Sequence, residues 1–317
     1  MFRAEVKSRI GEDICIMVKM ANHSWNYICE CGDASDLTVK EVQNTQAVFI
    51  SHTHIDHFVN FDTIIRHQIG IQRRVVICGP KGIAKQVQAK LLGYTWNLIN
   101  EDAIIYEIRE YAAENELHIY EIKPPKWELE KNGVEQTNVL FAEKEFSVKG
   151  VLLDHKTPSL AYKFEQVDTV KIDLSAVPYK PGRWVGELKK AYEMNTPEAI
   201  IEVDGEGVPA QSLYHLLTIK KGDQLGVIMD HAANAENHAL IRTHFQGCHQ
   251  VYIESFYQNS DEEQAVTNYH SYAKMSGAIM READVKKPVP VHFSRRYDQE
   301  DIDRLKAEFQ AAFKKGK

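Results

Sequence analysis

The chain has 317 residues, of which 44% are apolar, 26% charged and 9% aromatic. That mixture belongs to an ordinary globular protein and excludes long disorder, a collagen-like repeat or a small disulfide scaffold. Its 45 acidic and 38 basic residues give a net charge of −7, which rules out a uniformly basic nucleic-acid coat but not a local basic patch. The five cysteines are odd in number and none stands in a CxxC spacing, the pattern of a reducing, cytoplasmic compartment. Charges throughout residues 1–20 argue against a secretory signal, and no run approaches the ~18 apolar residues of a membrane helix.

In chain order, residues 47–50 (AVFI) predict a strand, being short, apolar and β-branched. Ser51-His52-Thr53-His54-Ile55-Asp56-His57 follows at once. At this histidine content, HxHxDH would arise by chance in about one such chain in 700. His52 and His54 stand two apart, so a helix would point them in different directions, whereas a strand-end loop lets them converge on one ion. Asp56 and His57 point away from that pair, which suits a second ion nearby. Imidazole and carboxylate donors fit zinc or another first-row divalent metal.

Residues 60–69 then predict a helix, 75–78 a strand, and 81–92 a helix with Ile83, Val87 and Leu91 at four-residue spacing. The charged stretch 99–150 reads as an insertion, with 101–118 its helix-rich part. Strands are expected at 151–153, 225–229, 251–253 and 289–291. Just beyond the first, second and fourth stand His155, Asp230 and His292. Alone, each is the kind of residue that hydrogen-bonds at a strand end; beside HxHxDH they complete the ligand count of a two-metal site. His231 adjoins Asp230 and stays open.

An excursion at 165–196 holds Pro178, Pro181, Gly182 and Pro197 just beyond it, among bases and aromatics, with no evident core of its own. Residues 261–283 predict one amphipathic helix, with Ala265, Tyr269, Ala273, Gly277 and Met280 on one face. The tail from Asp298 predicts another, acidic in its first turn and basic in its last. Strands mixed with helices throughout mean an α/β protein, taken as a single domain over 1–317 with two excursions.

HxHxDH followed by isolated His, Asp and His at strand ends resembles the metallo-β-lactamase superfamily, and further segments resemble ribonuclease Z, the tRNA 3′-processing endonuclease. They are Leu153-Asp154-His155-Lys156-Thr157-Pro158-Ser159-Leu160-Ala161-Tyr162, Ile253-Glu254-Ser255-Phe256, and Tyr269-His270-Ser271 with His292-Phe293-Ser294-Arg295-Arg296-Tyr297. Pro181-Gly182-Arg183-Trp184-Val185-Gly186-Glu187-Leu188-Lys189 is similar to the end of that family's substrate arm. The chain departs from the family in lacking a glycine-rich start and in carrying His231 after Asp230.

The resemblance implies a four-layer αββα sandwich and two zinc ions, with manganese or another divalent metal as alternatives. One ion would take His52, His54 and His155, the other Asp56, His57 and His292, and Asp230 would bridge them. Asp56 would also orient or deprotonate the attacking water. His270, held by Glu254, would protonate the departing oxygen. Ser294, Arg295, Arg183 and Lys189 would contact substrate. Precursor tRNA as substrate and a homodimer are implied in the same way; the alternatives are a hydrolase of small phosphodiesters or other esters and a silent RNA-binding protein of this fold.

Overall fold

The computed structural model describes residues 1–173 and 178–315. The first eight strands, β1 (Phe2–Val6), β2 (Ile16–Met20), β3 (Asn26–Cys29), β4 (Thr45–Phe49), β5 (Arg74–Pro80), β6 (Ile105–Ala113), β7 (Glu116–Ile122) and β8 (Glu130–Gln136), form one sheet in sequence order. Its middle, β3 to β6, is parallel and both flanks are antiparallel. The chain then builds β9 (Val139–Ala142), β10 (Phe146–Asp154) and β11 (Pro158–Gln166) of a second sheet. After the small unit described below it adds β16 (Gln224–Ile228), β17 (Gln250–Glu254) and β18 (Lys287–Val291), in the order β18-β17-β16-β11-β10-β9.

Alternation along the strands explains why these sheets stack. Tyr27, Cys29, Ala47, Phe49, Val76 and Cys78 point to one face and pack with Phe146, Leu160, Tyr162, Phe164, Leu225 and Val227 of the second sheet. Their alternates Ile28, Val48, Ile50, Val75 and Ile77 pack on the other face against Phe61, Ile64, Ile65, Ile83, Val87 and Leu91 of the helices Phe61–Gln68 and Ile83–Leu92. On the outer face of the second sheet, Ile228, Val251 and Ile253 meet Ile241, Ala273, Met280, Leu305 and Phe309. Three apolar interfaces make four layers, and both faces of the central strands are covered. That is why these strands read as continuous apolar runs. A fully buried Phe contributes about 2–3 kcal/mol, and Phe49 adds edge-to-face contacts with Tyr162 and Phe164 at 5.2 Å. Tyr162 also donates its hydroxyl to the Ile50 carbonyl at 2.6 Å.

Three expectations change. Residues 101–118 form strand rather than helix, and 105–136 extends the first sheet as β6, β7 and β8. Charges of these strands pair across the sheet: Arg74 of β5 with Glu107 of β6 at 2.9 Å and with Glu121 of β7 at 2.7 Å. The predicted helix 261–283 is broken into Glu262–Thr267 and Ala273–Glu282. The second half packs so closely on the C-terminal helix Gln299–Lys314 that a Cβ on Gly277 would lie 2.4 Å from the Phe309 carbonyl oxygen.

The chain also divides into two compact units, 1–165 with 223–317 and Gln166–Gly222, where a single domain with an excursion at 165–196 was expected. The small unit pairs β12 (Thr169–Ile172) with β15 (Leu217–Lys220) and contains the hairpin β13 (Ile200–Val203) and β14 (Glu206–Pro209). It has its own core of Trp184, Leu188, Ala191, Ile201, Val203, Ala210 and Leu213. Trp184 is buried and donates Nε1–H to the Lys180 carbonyl at 2.8 Å, so it packs rather than offering a stacking face. Residues 174–177 of the expected excursion lie outside the described residues.

Candidate metal centre

The second half of HxHxDH begins a single turn of helix, Ile55–Phe58, with His54 at its N-cap. His52 therefore leaves the end of β4 on the loop while Asp56 and His57 ride the helix. His155, Asp230 and His292 follow the carboxyl ends of β10, β16 and β18, and Glu254 is the last residue of β17, all at the edge where open α/β sheets gather their functional groups.

Donor atoms of His52, His54, His155 and Asp230 lie within 4.8 Å of one another, and so do those of Asp56, His57, Asp230 and His292. Asp230 is common to both groups and turns one oxygen to each. Its Oδ2 lies 3.7 Å from His52 Nε2 and 3.4 Å from His155 Nε2. Its Oδ1 lies 3.4 Å from His57 Nε2 and 2.9 Å from His292 Nδ1. Two ligands ~2.1 Å from one tetrahedral ion stand ~3.4 Å apart, so most of these separations match the edges of a coordination tetrahedron. Nε2 of His52 and His57, Oδ1 of Asp230 and Nδ1 of His292 are buried and accept or donate no hydrogen bond among the described residues. Leaving them so would be costly; one divalent cation in each group would satisfy them.

The tautomers agree. His57 Nδ1 lies 2.9 Å from Glu30 Oε2, His155 Nδ1 2.6 Å from the Tyr269 carbonyl, and His52 Nδ1 3.0 Å from Ser51 Oγ. Ser51 Oγ spends its own proton on Glu30, so His52 Nδ1–H must be the donor. With each Nδ1–H engaged, each Nε2 carries a free lone pair, the form a metal ligand needs.

Glu30 is a residue that the sequence did not single out. Fully buried, it accepts from Ser51 N–H, Ser51 Oγ–H and His57 Nδ1–H. Burial pushes its carboxyl up, and these donors oppose the shift. It thus orients one donor in each group, directly for His57 and through Ser51 for His52. Glu30→Gln is expected to weaken divalent-metal affinity about 10- to 100-fold without unfolding the chain. Metal titration followed by calorimetry checks this; unchanged affinity would contradict the orienting role.

Burial pulls the His52 imidazole down to about 2, with help from the His57 charge. His57 goes the other way, to about 10: burial disfavours its charge, but the Asp230 and Glu30 carboxylates outweigh it. Asp230 is held well below the ordinary carboxylate range, against its burial, by His292 and His57.

The mouth is formed by His54, Asp56 and His270; the remaining donors are buried. His270 arrives there because the broken helix ends in a Schellman turn. Its N–H donates to Ala265 at 2.9 Å, and Tyr269 N–H to Val266 at 3.3 Å, with Tyr269 left-handed at φ +59°. His270 Nδ1 is hydrogen-bonded to Glu254 Oε1, and its ring stacks on Phe256 at 4.1 Å and 10°. The other oxygen of Glu254 accepts from His231 N–H at 3.0 Å and Ser271 N–H at 3.3 Å. Glu254 is therefore engaged with donors, which sets it and His270 apart from the ligand groups although both lie close to Asp230. His231 is buried, with Nδ1 2.9 Å from the Met229 carbonyl.

The four expected substrate contacts fall in different places. Ser294 is buried and donates its N–H to the Phe256 carbonyl. Arg295 is committed within the protein: Nε donates to the Gly11 carbonyl at 3.1 Å and Nη1 pairs with Asp13 at 3.2 Å. Arg183 is exposed and Lys189 half-buried, both in the small unit.

No family model matches the chain. It is 28% identical over 300 residues to ribonuclease Z of Deinococcus radiodurans, covering 90% of this chain and 87% of that one. Among solved structures it aligns with the metallo-β-lactamase fold protein YhfI of Bacillus subtilis at a TM-score of 0.57 and 9% identity, covering 98% and 93% of the two chains. The short form of human tRNase Z gives 0.56 and 13%, covering 93% and 94%. Fold class, resemblance and hydrolase class expected from the sequence are borne out. The chain has the metallo-β-lactamase fold and, over nine tenths of its length, is similar to a protein named ribonuclease Z.

Proposed function

We propose that the chain is a two-zinc endoribonuclease of ribonuclease Z type, which removes the 3′ trailer of precursor tRNA. The observation that carries this reading is Asp230, a buried carboxylate that faces one His/Asp group with each oxygen. His52, His54 and His155 would hold one ion, Asp56, His57 and His292 the other, and Asp230 both. When bound, such ions stabilise the negative charge that develops on a phosphoryl group under in-line attack.

The chain's own groups orient the water and supply the proton. Burial works against ionisation of Asp56, but hydrogen bonding to His292 and the His57 charge hold its carboxyl well below the ordinary range. At the mouth it stays ionised and can orient the incoming water. His270 is raised above the ordinary imidazole value because the Glu254 carboxylate outweighs its burial. It therefore carries a proton to give to the ribose oxygen as the phosphorus–oxygen bond breaks, and Glu254 positions it.

RNA affinity would come from exposed bases of the small unit, Lys171, Lys180, Arg183 and Lys190, together with Lys189. The family resemblance read from the sequence further implies a homodimer. The five cysteines are free and buried, which accords with a cytoplasmic site of action, and no helix among the described residues is long and apolar enough to cross a membrane.

Incubation of the zinc- or manganese-loaded protein with a trailer-bearing precursor tRNA is expected to give one cut after the mature acceptor stem. Intact tRNA alongside hydrolysis of a chromogenic bis-aryl phosphodiester would contradict the RNA part and favour a small phosphodiester.

A further inference from the structure

We propose that Lys156 is a phosphate contact of the reaction site, binding the RNA backbone beside the phosphodiester that is cut; this rests on the ribonuclease reading above. Lys156 lies one residue beyond His155 in a turn that is fixed rather than loose. Its N–H donates to Asp154 Oδ1 at 2.8 Å, and His155 N–H closes the turn on the Thr157 carbonyl at 3.0 Å. The residue is held left-handed at φ +61°, a conformation that a lysine adopts only when its surroundings impose it.

The facing turn mirrors it. Tyr269, also left-handed at φ +59°, gives its carbonyl to His155 Nδ1 at 2.6 Å and its ring to Lys156, whose Nζ lies 5.8 Å from the ring centroid. The next residue is His270. The two turns are thus tied together through a candidate ligand, and they set an exposed ammonium on a fixed aromatic platform at the edge of the mouth.

Among the described residues no carboxylate lies within ion-pairing distance of that ammonium. Other cations near the mouth are spent: Arg295 on Asp13, and Arg296 on Asp261 at 2.7 Å. Asp56 at the mouth and the buried Asp230 and Glu254 behind it make the site rich in carboxylates. A polyanion entering there meets Lys156 as the available side-chain cation beside His155, and a point charge that can swing on its stem suits a backbone phosphate.

Lys156→Ala is expected to raise KM for precursor tRNA about three- to tenfold and to make the fall of log(kcat/KM) with log salt shallower by about 0.7–0.9, one phosphate contact. Lys156→Arg is expected to restore the wild-type slope, and Lys156→Glu to raise KM further, with metal content equal in all variants. An alanine variant with the wild-type salt slope, in an enzyme that cleaves precursor tRNA, would overturn the assignment of Lys156 alone. Failure of the unsubstituted, metal-loaded chain to cleave RNA would overturn both this assignment and the reading on which it rests.

Discussion

Replacing Asp230 by Asn or Ala is expected to abolish tight divalent-metal binding and to lower phosphodiester hydrolysis by at least about 10³-fold, roughly 4 kcal/mol of transition-state stabilisation. The size of the effect follows from the position of the residue. It is fully buried, and each oxygen approaches the histidines of a different group. Removing its charge leaves His52, His57, His155 and His292 gathered in low dielectric without the anion that offsets cations between them. His54 makes a useful contrast. It is exposed and belongs to one group alone, so His54→Ala should weaken one site and leave the other loaded. Metal analysis by mass spectrometry after gel filtration checks both, with circular dichroism to confirm folding. An Asp230→Asn protein that retains its metal would contradict the bridging role.

His270→Ala is expected to behave differently: full metal content, with kcat reduced about 10²- to 10⁴-fold. The ring is fixed from two sides, by Glu254 at Nδ1 and by Phe256 stacked on its face. That leaves Nε2 as the atom able to serve a substrate. A proton donor matters most when the leaving group is a poor one. The loss should therefore be large for RNA, whose departing ribose oxygen must be protonated, and small for an aryl phosphodiester, whose phenolate leaves unaided. Parallel kcat values for the two substrates decide the point. Metal lost together with activity would make His270 a ligand, and equal losses on both substrates would remove its role as an acid.

The candidate ligand positions stand out in the sequence because they follow apolar strand runs: His52 after β4, His155 after β10, Asp230 after β16 and His292 after β18. A strand covered on both faces announces itself, and a His or Asp at its carboxyl end stands out. What supports those ligands was harder to see. Glu30 sits in a Cys-Glu-Cys run with no pattern to mark it, and only folding brings it to His57, 27 residues further on.

The break that delivers His270 was hidden because its helix ends on a left-handed Tyr269 where a glycine would have signalled the turn. Strands β6 to β8 were hidden by charge. Glu107 looks like part of a solvated helix until its cross-strand partner Arg74 is known. The small unit escaped notice because its core is assembled from Trp184 and Leu188 of one helix and from Ile201, Val203, Ala210 and Leu213 beyond the predicted limit of the excursion. Local pattern finds elements; it does not find partners distant in sequence.

The most direct test is anomalous diffraction at the zinc edge from crystals of the zinc-loaded protein. Two peaks per chain are expected, one in contact with His52, His54 and His155, the other with Asp56, His57 and His292, and Asp230 in contact with both. A single peak, or a second one that touches neither Asp56 nor His292, would contradict the account.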